Sequence, residues 1–195
     1  MSRVNKAAIV ANANTARKRC CCKQLPCLRP GLRVEVIKGW EGRDKPNTED
    51  KLAAFDFARD DGEIIDGGVI TSAIDFGTLQ DEWETAIPIL KDRPDSFAVR
   101  FTGYIRFDGS GEKTIKVTVD DHLVMSLNGK NLAFLPEMKR NGQLGTHVAS
   151  ATVTKGLVRV NITYAQYTSG KALKLYEVVD GKDEIIDSAR FFRLA

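Results

Sequence analysis

Beyond residue 27 the 195-residue chain has no cysteine, and it has only two histidines, His122 and His147. Neither a His-Glu-x-x-His pair nor a Gly-x-Ser-x-Gly elbow occurs. Their absence removes the common zinc-hydrolase and serine-hydrolase arrangements, so no enzyme is expected. No run of 18 apolar residues exists, so no helix is expected to cross a membrane. Residues 1–34 contain no acidic side chain, although they carry eight basic ones: Arg3, Lys6, Arg17, Lys18, Arg19, Lys23, Arg29 and Arg33. The rest of the chain is left with 21 of the 29 basic residues against all 26 acidic ones, beneath an overall net charge of +3. A basic arm is thus joined to a mildly acidic body. Such arms contact acidic partner subunits, nucleic acid or anionic surfaces, unless they are simply solvated tails.

The arm's one apolar cluster, Ala7–Ala11, is shorter than the roughly 7–15-residue core of a secretory signal. The arm's Arg- and Ala-rich, acid-free composition is shared by mitochondrial transit peptides. An organellar location and a cytoplasmic or virion-like one therefore both stay open. Cys20, Cys21, Cys22 and Cys27 lie within eight residues of one another. Three consecutive cysteines cannot all face one tetrahedral ion, and structural zinc takes its ligands from separated pairs. Disulfides to a neighbouring subunit and plain reduced thiols are the remaining readings. Pro26 and Pro30-Gly31 end the arm, giving an extended arm over 1–30 and a folded body over 31–195.

The body reads as strands. Leu32, Val34 and Val36 alternate with Arg33 and Glu35; Val69–Phe76 reads as another strand, and Leu52–Phe57 as a strand or short helix. Thr78–Ile87 is the one helix candidate, with Thr78 placed to cap, Leu79, Trp83 and Ile87 on one face, and Pro88 blocking continuation. From Phe97 the period of two is strong. Phe97, Val99, Phe101, Ile105 and Phe107 share one face, and Arg100, Thr102, Tyr104 and Arg106 the other. Ile115, Val117 and Val119 continue the pattern, then Leu123, Met125 and Leu127, then Val158, Val160, Ile162 and Tyr164. Asn128-Gly129 is a type I′ hairpin signal, and Asp180-Gly181 marks another turn. Many short strands at turn-separated spacing, with one short helix, imply an all-β antiparallel sandwich.

Several stretches resemble the PA14 domain family, a β-sandwich module of toxins, glycosidases and adhesins. They are GLRVEVIK at 31–38, VITSAIDFG at 69–77, FAVRFTGYIRF at 97–107 with its central Thr-Gly-Tyr, Ile115–Lys130, and the closing strands of Leu157–Tyr176. Together they cover about residues 31–178. The resemblance implies a module that recognises a glycan or similar polar ligand. In the family's calcium-dependent adhesins paired aspartates hold Ca²⁺, which in turn holds sugar hydroxyls. By position that role falls on Asp120 and Asp121, with His122 standing where the family has glycine.

The residues themselves allow two readings of Asp120-Asp121. Adjacent carboxylates supply hard oxygens to calcium, and they also serve as ordinary turn formers. A continuous strand would aim Asp121 inward with Val119 and Leu123, so the chain is expected to bend there. His122 is a candidate ligand-binding neighbour. Most of the phenylalanines are core by alternation; Tyr104 falls on the opposite face and is the aromatic candidate for ligand contact, with Trp40 and Tyr167 as further exposed candidates. DGSGEKT at 108–114 lacks the glycine spacing of a phosphate loop and reads as a turn. Two functions follow. One is a non-enzymatic binding module for a glycan, with Asp120, Asp121, His122 and Tyr104 as ligand contacts and Ca²⁺ at Asp120-Asp121. The other is a structural subunit of a virion, filament or organellar assembly, joined to protein neighbours through its basic, cysteine-rich arm.

Overall fold

In the computed structural model, which describes residues 27–37, 64–91, 97–120, 122–135, 144–166 and 171–195, the alternating stretch from Phe97 becomes an 11-residue strand inside a two-sheet sandwich. In chain order the strands are β1 (Leu28–Pro30), β2 (Leu32–Ile37), β3 (Ile64–Ile70), β4 (Asp75–Phe76), β5 (Phe97–Phe107), β6 (Gly111–Val119) and β7 (His122–Leu127). They continue with β8 (Lys130–Leu135), β9 (Gly145–Val153), β10 (Gly156–Gln166), β11 (Leu173–Val179), β12 (Lys182–Ile185) and β13 (Phe191–Leu194). One short helix, α1 (Gln80–Ala86), lies between β4 and β5. Among the described residues the first sheet runs β1-β13-β5-β10-β7-β8, with β2 beside β5 and β3 beside β2. The second runs β12-β11-β6-β9, with β4 beside β11.

The core is the sum of the inward faces. Phe97, Val99, Phe101, Ile105 and Phe107 of β5 and Val158, Val160, Ile162 and Tyr164 of β10 meet Ile115, Val117 and Val119 of β6 and Leu173 and Leu175 of β11. Each such side chain contributes roughly 1.5–3 kcal/mol on burial. A one-residue slip would turn a whole strand's apolar set outward, so burial holds the register.

One edge of β5 is shared by two strands, β2 opposite Ala98–Thr102 and β13 opposite Tyr104 and Ile105. Gly103 sits at the junction. A Cβ there would stand 2.4 Å from the carbonyl oxygen of Phe192 and 2.7 Å from Cδ2 of Leu32. The glycine of Thr-Gly-Tyr therefore serves close approach of three strands.

Three expectations need correction. Pairing begins at Leu28, opposite Leu194, so the last residues of the segment read as arm belong to the first sheet. Val69–Phe76 is not one strand: β3 pairs with β2 in the first sheet and β4 with β11 in the second, so the chain changes sheets at residues 71–74. Thr78 does not cap α1; the N-cap position is Leu79, without a side-chain cap, and the backbone N–H of Gly77 donates to Glu82 instead. The turns fare better. Asn128 (φ 49°) and Gly129 (φ 80°) join β7 to β8, and Asp180 (φ 50°) and Gly181 (φ 74°) join β11 to β12. The DGSGEKT stretch is a turn running into β6, where Ser110 Oγ accepts from the Lys155 amide at 2.8 Å. Cys20, Cys21, Cys22, Trp40, Leu52–Phe57, Asp121 and Tyr167 lie outside the described residues.

Candidate functional site

The chain leaves the second sheet at Val119 and enters the first at His122, which is the bend the strand phase demands. The corner is packed. Asp120 donates its backbone N–H to the Ala172 carbonyl at 2.9 Å, and its residue exposure is 5%. His122, 3% exposed, opens β7 opposite Ala165 of β10. Lys171, 4% exposed, precedes Ala172, and the fully buried Gln166 accepts a hydrogen bond from the Tyr164 hydroxyl at 2.5 Å. Neither Asp120 nor His122 is exposed. Tightly packed strand ends hold polar groups here at the rim of the core.

Tyr104 is elsewhere. It lies opposite Arg159 on β10, whereas His122 lies opposite Ala165 on that strand, six residues along. At about 3.3 Å per residue the two positions are roughly 20 Å apart. The structure therefore separates the candidate residues into a buried corner and an open face. Cys27, the arm cysteine within the described residues, is exposed just before β1, and its carbonyl accepts from the Ala195 amide at 2.8 Å.

The open face is the outer side of the first sheet. Cross-strand pairs Ser126–Asn161, Asn161–Thr102 and Thr102–Arg33 form one row, and Arg159–Tyr104–Phe192 the next. Around Tyr104 the surface is concave, a depression of about 440 Å³ lined by Arg33, Thr102, Gly103, Arg159 and Arg193. It offers one aromatic ring, a hydroxyl and several guanidinium donors. Alternation had assigned Arg159 and Asn161 to their strand's outer side. That β10 and β2 flank β5, and so bring these residues beside Tyr104, has no local signal.

A second depression, about 770 Å³, lies between the β3–β4 crossover and α1, with Asp75, Asp81 and Glu82 on its wall. Volume does not make it the better site, because two of these carboxylates are engaged: Asp75 by Lys174 at 2.9 Å, Glu82 by the Gly77 amide. The Lys174 ammonium titrates above its ordinary value, chiefly through the hydrogen bond to Asp75. Being raised, that contribution is complete below the ordinary lysine pKa and is lost only as the pH rises through the raised one.

The PA14 domain family model matches residues 69–188, more than half of the chain. No curated protein matches it in sequence. Solved structures do match in fold. The PA14 sugar-binding domain from an RTX adhesin superposes with a TM-score of 0.61 at 20% identity, covering 84% of this chain and 98% of that one. The PA14 domain of the MpAFP antifreeze protein gives 0.59 at 16% identity, over 86% of this chain and 92% of that one. The Epithelial Adhesin 9 A domain of Candida glabrata, in complex with Galb1-3GlcNAc, gives 0.61 at 11% identity, over 86% and 90%. At these identities the likeness is one of fold.

Proposed function

This chain belongs to the PA14 domain family, and on that premise we propose that it is a non-enzymatic module that binds a glycan on the outer face of its first sheet, around Tyr104. The observation that supports this reading is the fold it shares along nearly the whole length of a solved sugar-binding PA14 domain. Tyr104 adds a ring against which the apolar face of a sugar can stack, with Thr102 and Asn161 beside it as hydrogen-bonding groups. The reading places the ligand at Tyr104 rather than at Asp120 and His122, whose side chains are buried.

A glycan array with the full chain, followed by titration of the best neutral glycan, tests this. Saturable binding is expected, weakened about tenfold in Tyr104→Ala, which corresponds to roughly 1.4 kcal/mol for one lost stacking contact. Absence of binding to any glycan would overturn the proposal.

Calcium fits the described residues poorly. Ca²⁺ takes six to eight oxygen ligands. The described part of the corner offers one buried carboxylate, Asp120, with the His122 imidazole two residues on and Lys171 beside the Ala172 whose carbonyl the Asp120 amide reaches. Among the described residues no group of three or more His, Cys, Asp or Glu side chains is arranged to hold a metal. Thermal denaturation midpoints are therefore expected to coincide in millimolar calcium and in EDTA. A calcium-dependent rise that disappears in Asp121→Ala would restore the ion to Asp120-Asp121.

A further inference from the structure

The depression around Tyr104 has an excess of positive charge that the fold does not use. Arg33 comes from β2, Arg159 from β10 and Arg193 from β13, and all three line the same concavity. Leu194 and Ala195 complete the lining, and no acidic side chain is part of it. Arg33 has Glu35 at 3.8 Å, but that carboxylate is held more closely by Arg100 at 2.6 Å. Arg159 and Arg193 form no ion pair among the described residues. The Nε of Arg193 is also buried without a hydrogen-bond partner among them. A buried donor left unsatisfied is costly. Arg193 further lies directly opposite Arg29 across the β1–β13 pair, where like charges repel.

Resting on the glycan reading above, we propose that the ligand is an anionic glycan, whose carboxylate or sulfate group sits among Arg33, Arg159 and Arg193 while its sugar ring lies against Tyr104. A guanidinium matches a planar or tetrahedral oxyanion with paired N–H donors, and such charge-assisted bonds are about twice as strong as neutral ones. The concavity is compact. It suits one charged sugar better than the extended track of phosphates along a nucleic acid strand.

The test is calorimetric titration of the full chain at low ionic strength with sialyllactose, sulfated lactose and unmodified lactose. At least one anionic ligand is expected to bind about tenfold more tightly than lactose, with that advantage lost in Arg159→Ala and in Arg193→Ala. Arg159 is exposed, so its replacement should leave the melting temperature unchanged, and Arg159→Lys should recover part of the preference. If Arg193→Ala melts early, Arg33→Ala takes its place as the second variant. Equal affinity for charged and neutral lactose in the wild type would overturn the anionic assignment and leave the glycan reading standing. Failure of all three sugars, together with Arg159-dependent binding of an oligonucleotide, would overturn both.

Discussion

Trp83→Ala is expected to destabilise the fold by about 3–5 kcal/mol, the range for deleting a large aromatic side chain from a packed core. Trp83 is fully buried on α1 and stacks on Tyr164 with ring centroids 5.1 Å apart. Phe76 and Phe97 approach it at 4.8 and 5.7 Å. Its indole N–H donates to the Gly77 carbonyl at 2.9 Å, so the ring also ties α1 to the end of β4. The helix is weak in itself. It is 7 residues long, uncapped by any side chain, and without a basic residue in its last turn. A helix of this length is not stable alone and depends on what it packs against. In a chain of this size each kcal/mol moves the melting temperature by about 2–4 °C, so a fall of roughly 10 °C is expected by calorimetry. Trp83→Phe should fall between, keeping ring packing but losing the hydrogen bond. A loss below about 1 kcal/mol for the alanine variant would show that α1 is anchored by other contacts.

Glu177→Ala is expected to be the second most damaging of these changes, at about 2–4 kcal/mol, by leaving cations uncompensated at the rim of the core. Glu177 lies on β11 in phase with Leu173 and Leu175, so its side chain points into the sandwich. Two cations meet it there, Lys113 of β6 at 3.3 Å and Arg190 at 2.6 Å. Arg190 also donates from Nε to the carbonyl of Arg106 at 2.9 Å and covers the ring of Phe107 at 5.1 Å. The carboxylate thereby joins the second sheet to the end of β5 in the first. Both cations keep some solvent exposure, which moderates the effect. Glu177→Gln should cost less than Glu177→Ala, because the amide still fills the space and accepts a hydrogen bond. Denaturant melts of the two variants check this, and equal stability of wild type and Glu177→Ala would show that the pairing contributes nothing.

Glu177 also illustrates the limits of reading this chain locally. The alternation of β11 would place an ordinary apolar residue at its position. Only the arrival of Lys113 and Arg190, from positions 113 and 190, makes a carboxylate tolerable there. Asp120 and His122 show the converse. A polar Asp-Asp-His run reads as an exposed turn, yet Asp120 and His122 are both buried where the chain passes from one sheet to the other.

By itself the sequence determined which side of each strand faces the core, because side-chain direction in a strand has a period of two and needs no knowledge of neighbours. That was enough for the sandwich, for the buried phenylalanines of β5, for the Asn128-Gly129 turn, and for Tyr104 on the outer face. The order of strands within each sheet was decided by tertiary structure, since pairing depends on contacts between residues far apart in the chain. Residues 33, 104, 159 and 193 come from four strands, and nothing local to any of them announces the others. Their convergence on one concave face follows from β2, β10 and β13 all flanking β5.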